Sequence, residues 1–140
     1  MSTQVEETLV LIKPDGVARN LTGEILRRIE AKGYSLVDMK LVQAERSLLA
    51  EHYAEHEGKP FYEPLIEFME SGPIVAFRIA GNRVIEGFRA LAGTTDPTTA
   101  APGTIRGDLG RDWGVKVQQN LVHGSDSPES ATAELALWFD

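Results

Sequence analysis

The chain has no cysteine among its 140 residues, which excludes disulfides and thiolate metal sites. Positive charge is scarce too: 14 Lys and Arg stand against 21 Asp and Glu, for a formal net charge of −7. Such a surface repels nucleic acid and anionic membrane, so any phosphate site must be a local concentration of cations. No apolar run approaches the roughly 20 residues needed to cross a bilayer. Residues 1–7 are polar and acidic, unlike a secretory signal. What remains is ordinary for a globular protein, with 42% hydrophobic and 25% charged residues. These features predict a cytoplasmic chain folded as one domain over residues 1–140, with a single core.

Residues 8–12 are a short apolar run suited to a buried strand, closed by the turn chemistry of Lys13-Pro14-Asp15-Gly16. A helix follows, with Thr22 as cap, Ile25, Leu26 and Ile29 as its stripe and Gly33 as its stop. Residues 34–42 alternate as a strand, and residues 47–55 and 61–70 read as two helical pieces split at residues 58–60. Residues 74–80 form the next strand, and Asn82 caps a helix running to Leu91. Residues 93–113 have no period and read as a loop, long enough to suggest a functional one. Residues 115–122 read as the last strand. Beyond Gly124, Asp126 or Ser127 caps a final helix with Pro128 in its first turn. Four strands alternating with helices fit either a doubly wound parallel sheet or an antiparallel sheet with helices on one face. Periodicity leaves both open.

His123 stands at the strand-to-helix junction Asn120-Leu121-Val122-His123-Gly124-Ser125-Asp126. Backbone N–H groups and a helix dipole favour anions at such a junction, and a neutral imidazole is a competent nucleophile toward phosphorus. The bland alternative is a lone histidine at the core's edge. Lys13, Arg89, Thr95, Arg106 and Asn120 supply cationic and hydrogen-bonding groups in loop-like contexts, as phosphoryl transfer requires. Lys13 and Arg89 are equally readable as solvated residues. Arg106, set among small residues in an aperiodic stretch, is harder to explain structurally. His52-Tyr53-Ala54-Glu55-His56 matches the His-x-x-Glu-His pattern of inverted zinc peptidases, with two imidazoles one helical turn apart. That reading needs a third ligand and a substrate cleft. A helix face with one histidine inward and one at a site rim is the simpler account. Phe61 is either core or a flat face for a nucleobase.

Three stretches together resemble nucleoside diphosphate kinases: Leu11-Ile12-Lys13-Pro14-Asp15-Gly16, then Pro102-Gly103-Thr104-Ile105-Arg106-Gly107-Asp108, then Asn120-x-x-His123-Gly124-Ser125-Asp126. The resemblance covers essentially the whole chain. It implies an α+β fold, the ferredoxin-like sandwich with a four-stranded antiparallel sheet and flanking helices. It also implies ping-pong transfer of a γ-phosphoryl from a nucleoside triphosphate to a diphosphate, ribo or deoxyribo, with low base specificity. His123 matches the phosphorylated residue, Glu134 the carboxylate that fixes its ring, and Ser125 the serine beside it. Lys13 and Asn120 match the groups on the ribose, Lys13 lying near the moving phosphate. Arg89, Thr95 and Arg106 match the phosphate clamp, Tyr53 a rim position by His123, and His56 a phosphate-side position. Phe61 and Val117 match the pair around the base. Mg²⁺ is expected on the nucleotide phosphates, with no metal held by the protein alone. A homo-oligomer, hexamer or tetramer, is implied, with Pro97 at a loop position tied to assembly. The chain departs from the pattern between Asp108 and Asn120, which holds about four extra residues around Leu109–Gly114. The other reading left by the resemblance is a catalytically idle, nucleotide-binding relative.

Overall fold

The fold is seen in a computed structural model that describes residues 5–114 and 118–139. In chain order it comprises β1 (Val5–Ile12), α1 (Pro14–Ala18), α2 (Thr22–Ala31), β2 (Ser35–Val42) and α3 (Arg46–His52). A single 3-10 turn (Ala54–His56) precedes α4 (Tyr62–Glu70), β3 (Ile74–Asn82) and α5 (Val84–Ala92). Then come α6 (Ile105–Leu109), β4 (Val122–Gly124) and α7 (Pro128–Phe139). The strands lie in the order β2-β3-β1-β4, and every pairing is antiparallel. The doubly wound alternative is thereby removed, and the ferredoxin-like sandwich stands.

Helices cover both sheet faces, not one. On β1, Val10 and Ile12 pack with Val75, Phe77 and Val122 under α2 and α5, through Ile25, Ile29 and Phe88. Leu9 and Leu11 point the other way, onto Leu49, Ile66, Met69, Leu135 and Trp138 of α3, α4 and α7. A strand buried on both sides needs an unbroken apolar run, which is what residues 9–12 supply. Each of those side chains contributes roughly 1.5–3 kcal/mol by leaving water.

Several local expectations are corrected. The Lys13–Gly16 turn continues into α1, because Pro14 fits the first helical turn as well as a bend. Asn82 stays in β3, and Arg83, at φ 55, takes the N-cap place of α5 without a side-chain bond. The long loop contains α6, capped by Thr104, whose hydroxyl accepts the Gly107 N–H at 2.9 Å. The last strand is only Val122–Gly124. It holds His123 opposite Leu11, while residues 118–121 turn and residues 115–117 lie outside the described residues.

Candidate active site

β4 and α7 build the centre together. His123 projects from β4, and its Nε2 lies 2.9 Å from Glu134 Oε1 on α7. Ser125 Oγ donates to the same oxygen at 2.6 Å. Ser127 caps α7 by accepting the Ser130 N–H at 3.1 Å, which fixes the helix start and so the height of Glu134. Burial alone pushes the Glu134 carboxyl up, but the bonds from His123 and Ser125 outweigh it and hold it below the usual range. An ionised carboxylate only accepts, so the proton of a neutral His123 ring sits on Nε2. Nδ1 keeps its lone pair.

Cations gather on the facing wall. Lys13, at the end of β1, is buried, and its Nζ donates to Asn120 Oδ1 at 2.8 Å. Burial first, then the charge of Arg106, lowers its pKa to about 8, against a smaller opposing pull from Asp15. Asn120 in turn donates from Nδ2 to the Thr95 carbonyl at 3.0 Å. Arg106 on α6 donates to the carbonyls of Asn120 (3.0 Å), Gly93 (2.9 Å) and Val122 (2.6 Å). Burial and the neighbouring Arg89 lower its pKa to about 10. Gly93 closes α5 at φ 88, where a Cβ would press on Thr104 Oγ1 at 2.5 Å. These groups line a cleft of about 660 Å³, with Tyr53, His56, Arg89, Thr95, Asp126 and Glu134 around its walls.

Behind His123 stands His52, the ring centroids 4.7 Å apart and nearly perpendicular. Trp138 lies one turn beyond Glu134 on α7 and donates its indole N–H to His52 Nδ1 at 3.0 Å. The His52 proton is therefore on Nε2, which is buried and has no partner among the described residues. Burial, then the charge of His123, lowers its pKa to about 3. Atoms of His52, His123 and Glu134 lie within 4.8 Å of one another, a spacing a metal could use. The tautomer opposes that use, since a metal on Nε2 would require an imidazolate while Nδ1 still accepts the indole. The zinc reading also required His52 and His56 one turn apart in one helix. α3 ends at His52, and His56 lies in the following 3-10 turn, stacked on Tyr53 at 6.3 Å between centroids.

His123, Glu134, Lys13, Asn120, Arg89, Thr95, Arg106, Tyr53 and His56 thus converge on one cleft, with Ser125 buried behind Glu134 and outside the lining. Tyr53 is not at the rim: it is buried, edge-on to His52 at 4.5 Å, with a hydroxyl that meets no partner among the described residues. Burial raises its pKa well above the ordinary phenol value. Phe61 is half exposed outside the cleft lining, edge-on to His56 at 5.2 Å and with Lys59 Nζ 5.8 Å from its ring centroid. Val117 lies outside the described residues. Sequence reasoning missed His52 and Trp138 as a bonded pair behind His123. The signal available was the one-turn spacing of Glu134 and Trp138.

A ferredoxin-like sandwich with a carboxylate-held imidazole facing buried cations belongs, as a class, with phosphoryl-handling α/β-sandwich proteins. The comparisons make that specific. A family model described as nucleoside diphosphate kinase matches residues 6–140. Curated nucleoside diphosphate kinases of Mycobacterium avium and Streptomyces avermitilis are 60% and 58% identical to the chain over 135 residues, covering 96% of both sequences in each case. The solved nucleoside diphosphate kinase of Halobacterium salinarum, in complex with CDP, superposes with a TM-score of 0.92 at 45% identity, covering 98% of this chain and 89% of that one. The apo enzyme of Encephalitozoon cuniculi gives 0.90 at 39% identity, covering 96% and 88%. The chain belongs to the nucleoside diphosphate kinase family.

Proposed function

We propose that this phosphotransferase, which moves the γ-phosphoryl of a nucleoside triphosphate to a nucleoside diphosphate, carries the group on His123 Nδ1. The observation that supports this is the bond from His123 Nε2 to Glu134, braced by Ser125, which leaves Nδ1 free at a cation-lined cleft. Nδ1 attacks the γ-phosphorus, the bond to the bridging oxygen breaks, and the nucleoside diphosphate leaves with that oxygen. A second diphosphate then attacks with a terminal oxygen, the N–P bond breaks, and the imidazole is restored. Lys13, Arg89 and Arg106 offset the charge on the phosphates, and Glu134 stabilises the ring as it takes up positive character. Lys13 and Asn120 hold the sugar end, with Thr95 and His56 on the phosphate side.

A divalent cation fits this cleft as a companion of the phosphates. Mg²⁺ takes oxygen ligands, and Glu134 is already committed to His123 and Ser125. Glu55 and Asp126, both exposed at the cleft wall, are the carboxylates that would face such an ion. Bound with nucleotide, Mg²⁺ neutralises phosphate charge. Phe61 and Val117 would take the base by its face, which all bases share, so base specificity is low. The active form is a cytoplasmic homo-oligomer, hexamer or tetramer, of a single-domain chain. Its support is an unpaired β2 edge carrying exposed Val37, Met39 and Leu41, and among the described residues no helix is long and apolar enough to cross a membrane.

The test is incubation with γ-labelled ATP and Mg²⁺. The wild type should hold acid-labile, base-stable label, which a nucleoside diphosphate removes, and His123→Ala should hold none while remaining folded. Label retained by His123→Ala would overturn the assignment.

A further inference from the structure

Asp15 has none of the roles above. It lies in the first turn of α1, and its Oδ2 accepts the Leu121 N–H at 3.2 Å. Leu121 is an unusual residue to find held there. Its φ is 75, and Val122 N–H donates back to the Asn120 carbonyl at 2.9 Å. Residues 120–122 therefore form a γ-turn of the strained hand, with a leucine at its centre. Such a conformation persists only where its surroundings over-determine it. Here they do: the Leu121 side chain is buried in the core, its carbonyl accepts the Lys13 N–H at 2.8 Å, and its own N–H is taken by Asp15. The two ends of the turn are functional. Asn120 meets Lys13, and Val122 leads directly into His123.

The second oxygen, Oδ1, is buried and has no partner among the described residues. Burial pushes the Asp15 carboxyl up, while Lys13 and the Leu121 N–H pull it back. Its charge favours the protonated forms of both Lys13 and Arg106, against Arg106 acting on Lys13 and Arg89 acting on Arg106, each the largest lowering influence after burial itself. The charged groups facing Lys13 are Asp15 from α1 and Arg106 from α6, with His52 of α3 also within its field. Asp15 additionally shares a small cavity with Arg19 and Arg111.

We propose that Asp15 is a positioning residue for phosphoryl transfer: one carboxylate oxygen pins the strained Leu121 turn that delivers Asn120 and His123, and the carboxylate is the buried counter-charge for Lys13 and Arg106. This rests on the phosphohistidine reading of the site. The two roles separate by substitution. Asp15→Asn keeps an acceptor for the Leu121 N–H and loses the charge. Asp15→Glu keeps the charge and displaces the oxygens by a methylene.

The experiment is single-turnover phosphorylation by γ-labelled ATP, followed from about pH 6 to about pH 9.5. The wild-type rate should fall above about pH 8, as Lys13 loses the proton that faces the phosphates. Without the Asp15 charge that proton leaves more readily, so the alkaline limb of Asp15→Asn should move down by about half a pH unit or more, with the plateau about threefold lower. Asp15→Glu should keep its limb in place while its plateau drops about tenfold or more, because the turn no longer seats His123. A purely structural carboxylate would move no limb. An Asp15→Asn profile superimposable on the wild type, or an undiminished Asp15→Glu plateau, would overturn the proposal. If Asp15→Asn does not fold, the Asp15→Glu result decides alone. Absence of label on the wild type at every pH would instead sink the phosphohistidine reading itself.

Discussion

Arg106 directs three N–H groups at backbone carbonyls, of Asn120, Gly93 and Val122, and only the rest of its fork remains for a phosphate. It is a brace between the end of α5 and the flanks of His123 as much as the phosphate ligand proposed above. A lysine offers one compact ammonium that cannot reach three diverging carbonyls. Arg106→Lys should therefore lower the unfolding free energy by about 3 kcal/mol, since buried carbonyls lose charged donors, and slow phosphorylation about a hundredfold. Denaturant titration and single-turnover labelling check the two parts, and an unchanged denaturation midpoint would show that the brace contributes nothing. The sequence marked Arg106 because small neighbours in an aperiodic stretch gave it no packing role. It could not show the brace, because the acceptors are backbone atoms 13 to 16 positions away. The same holds for His52 and Trp138, bonded across 86 positions. Residue chemistry is readable locally, whereas the pairing that sets a tautomer is a property of the folded chain.

Among the elements, long periodic ones matched expectation and short ones did not. Residues 9–12 announced a strand by their unbroken apolar run, and that run also carried the two-sided burial that went unread. α6 has five residues, too few for a helical period to register, and is set instead by its cap and by close approach. Thr104 Oγ1 donates to the Ala101 carbonyl at 2.6 Å and accepts the Gly107 N–H, folding the segment back on itself. At Gly107 a Cβ would fall onto the Ala101 carbonyl oxygen, a backbone atom that cannot swing aside. Gly107→Ala should thus displace α6 and carry Arg106 away from its carbonyls. The expected loss is about 2–4 kcal/mol of stability together with a phosphorylation defect like that of Arg106→Lys. Thermal unfolding of Gly107→Ala alongside Thr104→Ala, which loses the cap and the bond to Ala101, together worth about 1–2 kcal/mol, ranks the two effects. If the cap mutant is the worse of the pair, close approach is not what fixes this helix.

At the scale of the whole molecule, the two edges of the sheet are unlike. β4 is a three-residue edge given over to the site, whereas β2 is an eight-residue edge paired, among the described residues, to β3 alone. Met39 and Leu41 sit opposite Phe77 and Val75, on the sheet face that α2 and α5 cover elsewhere, yet they remain 46% and 69% exposed. A long unpaired edge with apolar side chains is a pairing surface unless something covers it. A second copy supplies that cover in the oligomer proposed above. The cleft lies on the far side of β1 and β3, around β4, and none of its lining residues comes from β2. Trp113, in the stretch with extra residues, is also outside that lining and borders a smaller cavity with Ala18 and Arg19. Assembly and phosphoryl chemistry should then be separable by substitutions on β2. Leu41→Lys places a charge where apolar surface meets its partner and stays solvated in a free subunit. Sedimentation should show a smaller species for Leu41→Lys at the same concentration, with single-turnover labelling of His123 per folded subunit within about twofold of the wild type. An unchanged sedimentation profile would place the contact elsewhere on the molecule. A collapse of labelling with the assembly intact would mean that β2 acts on the site through the sheet, and the separation drawn here would be wrong.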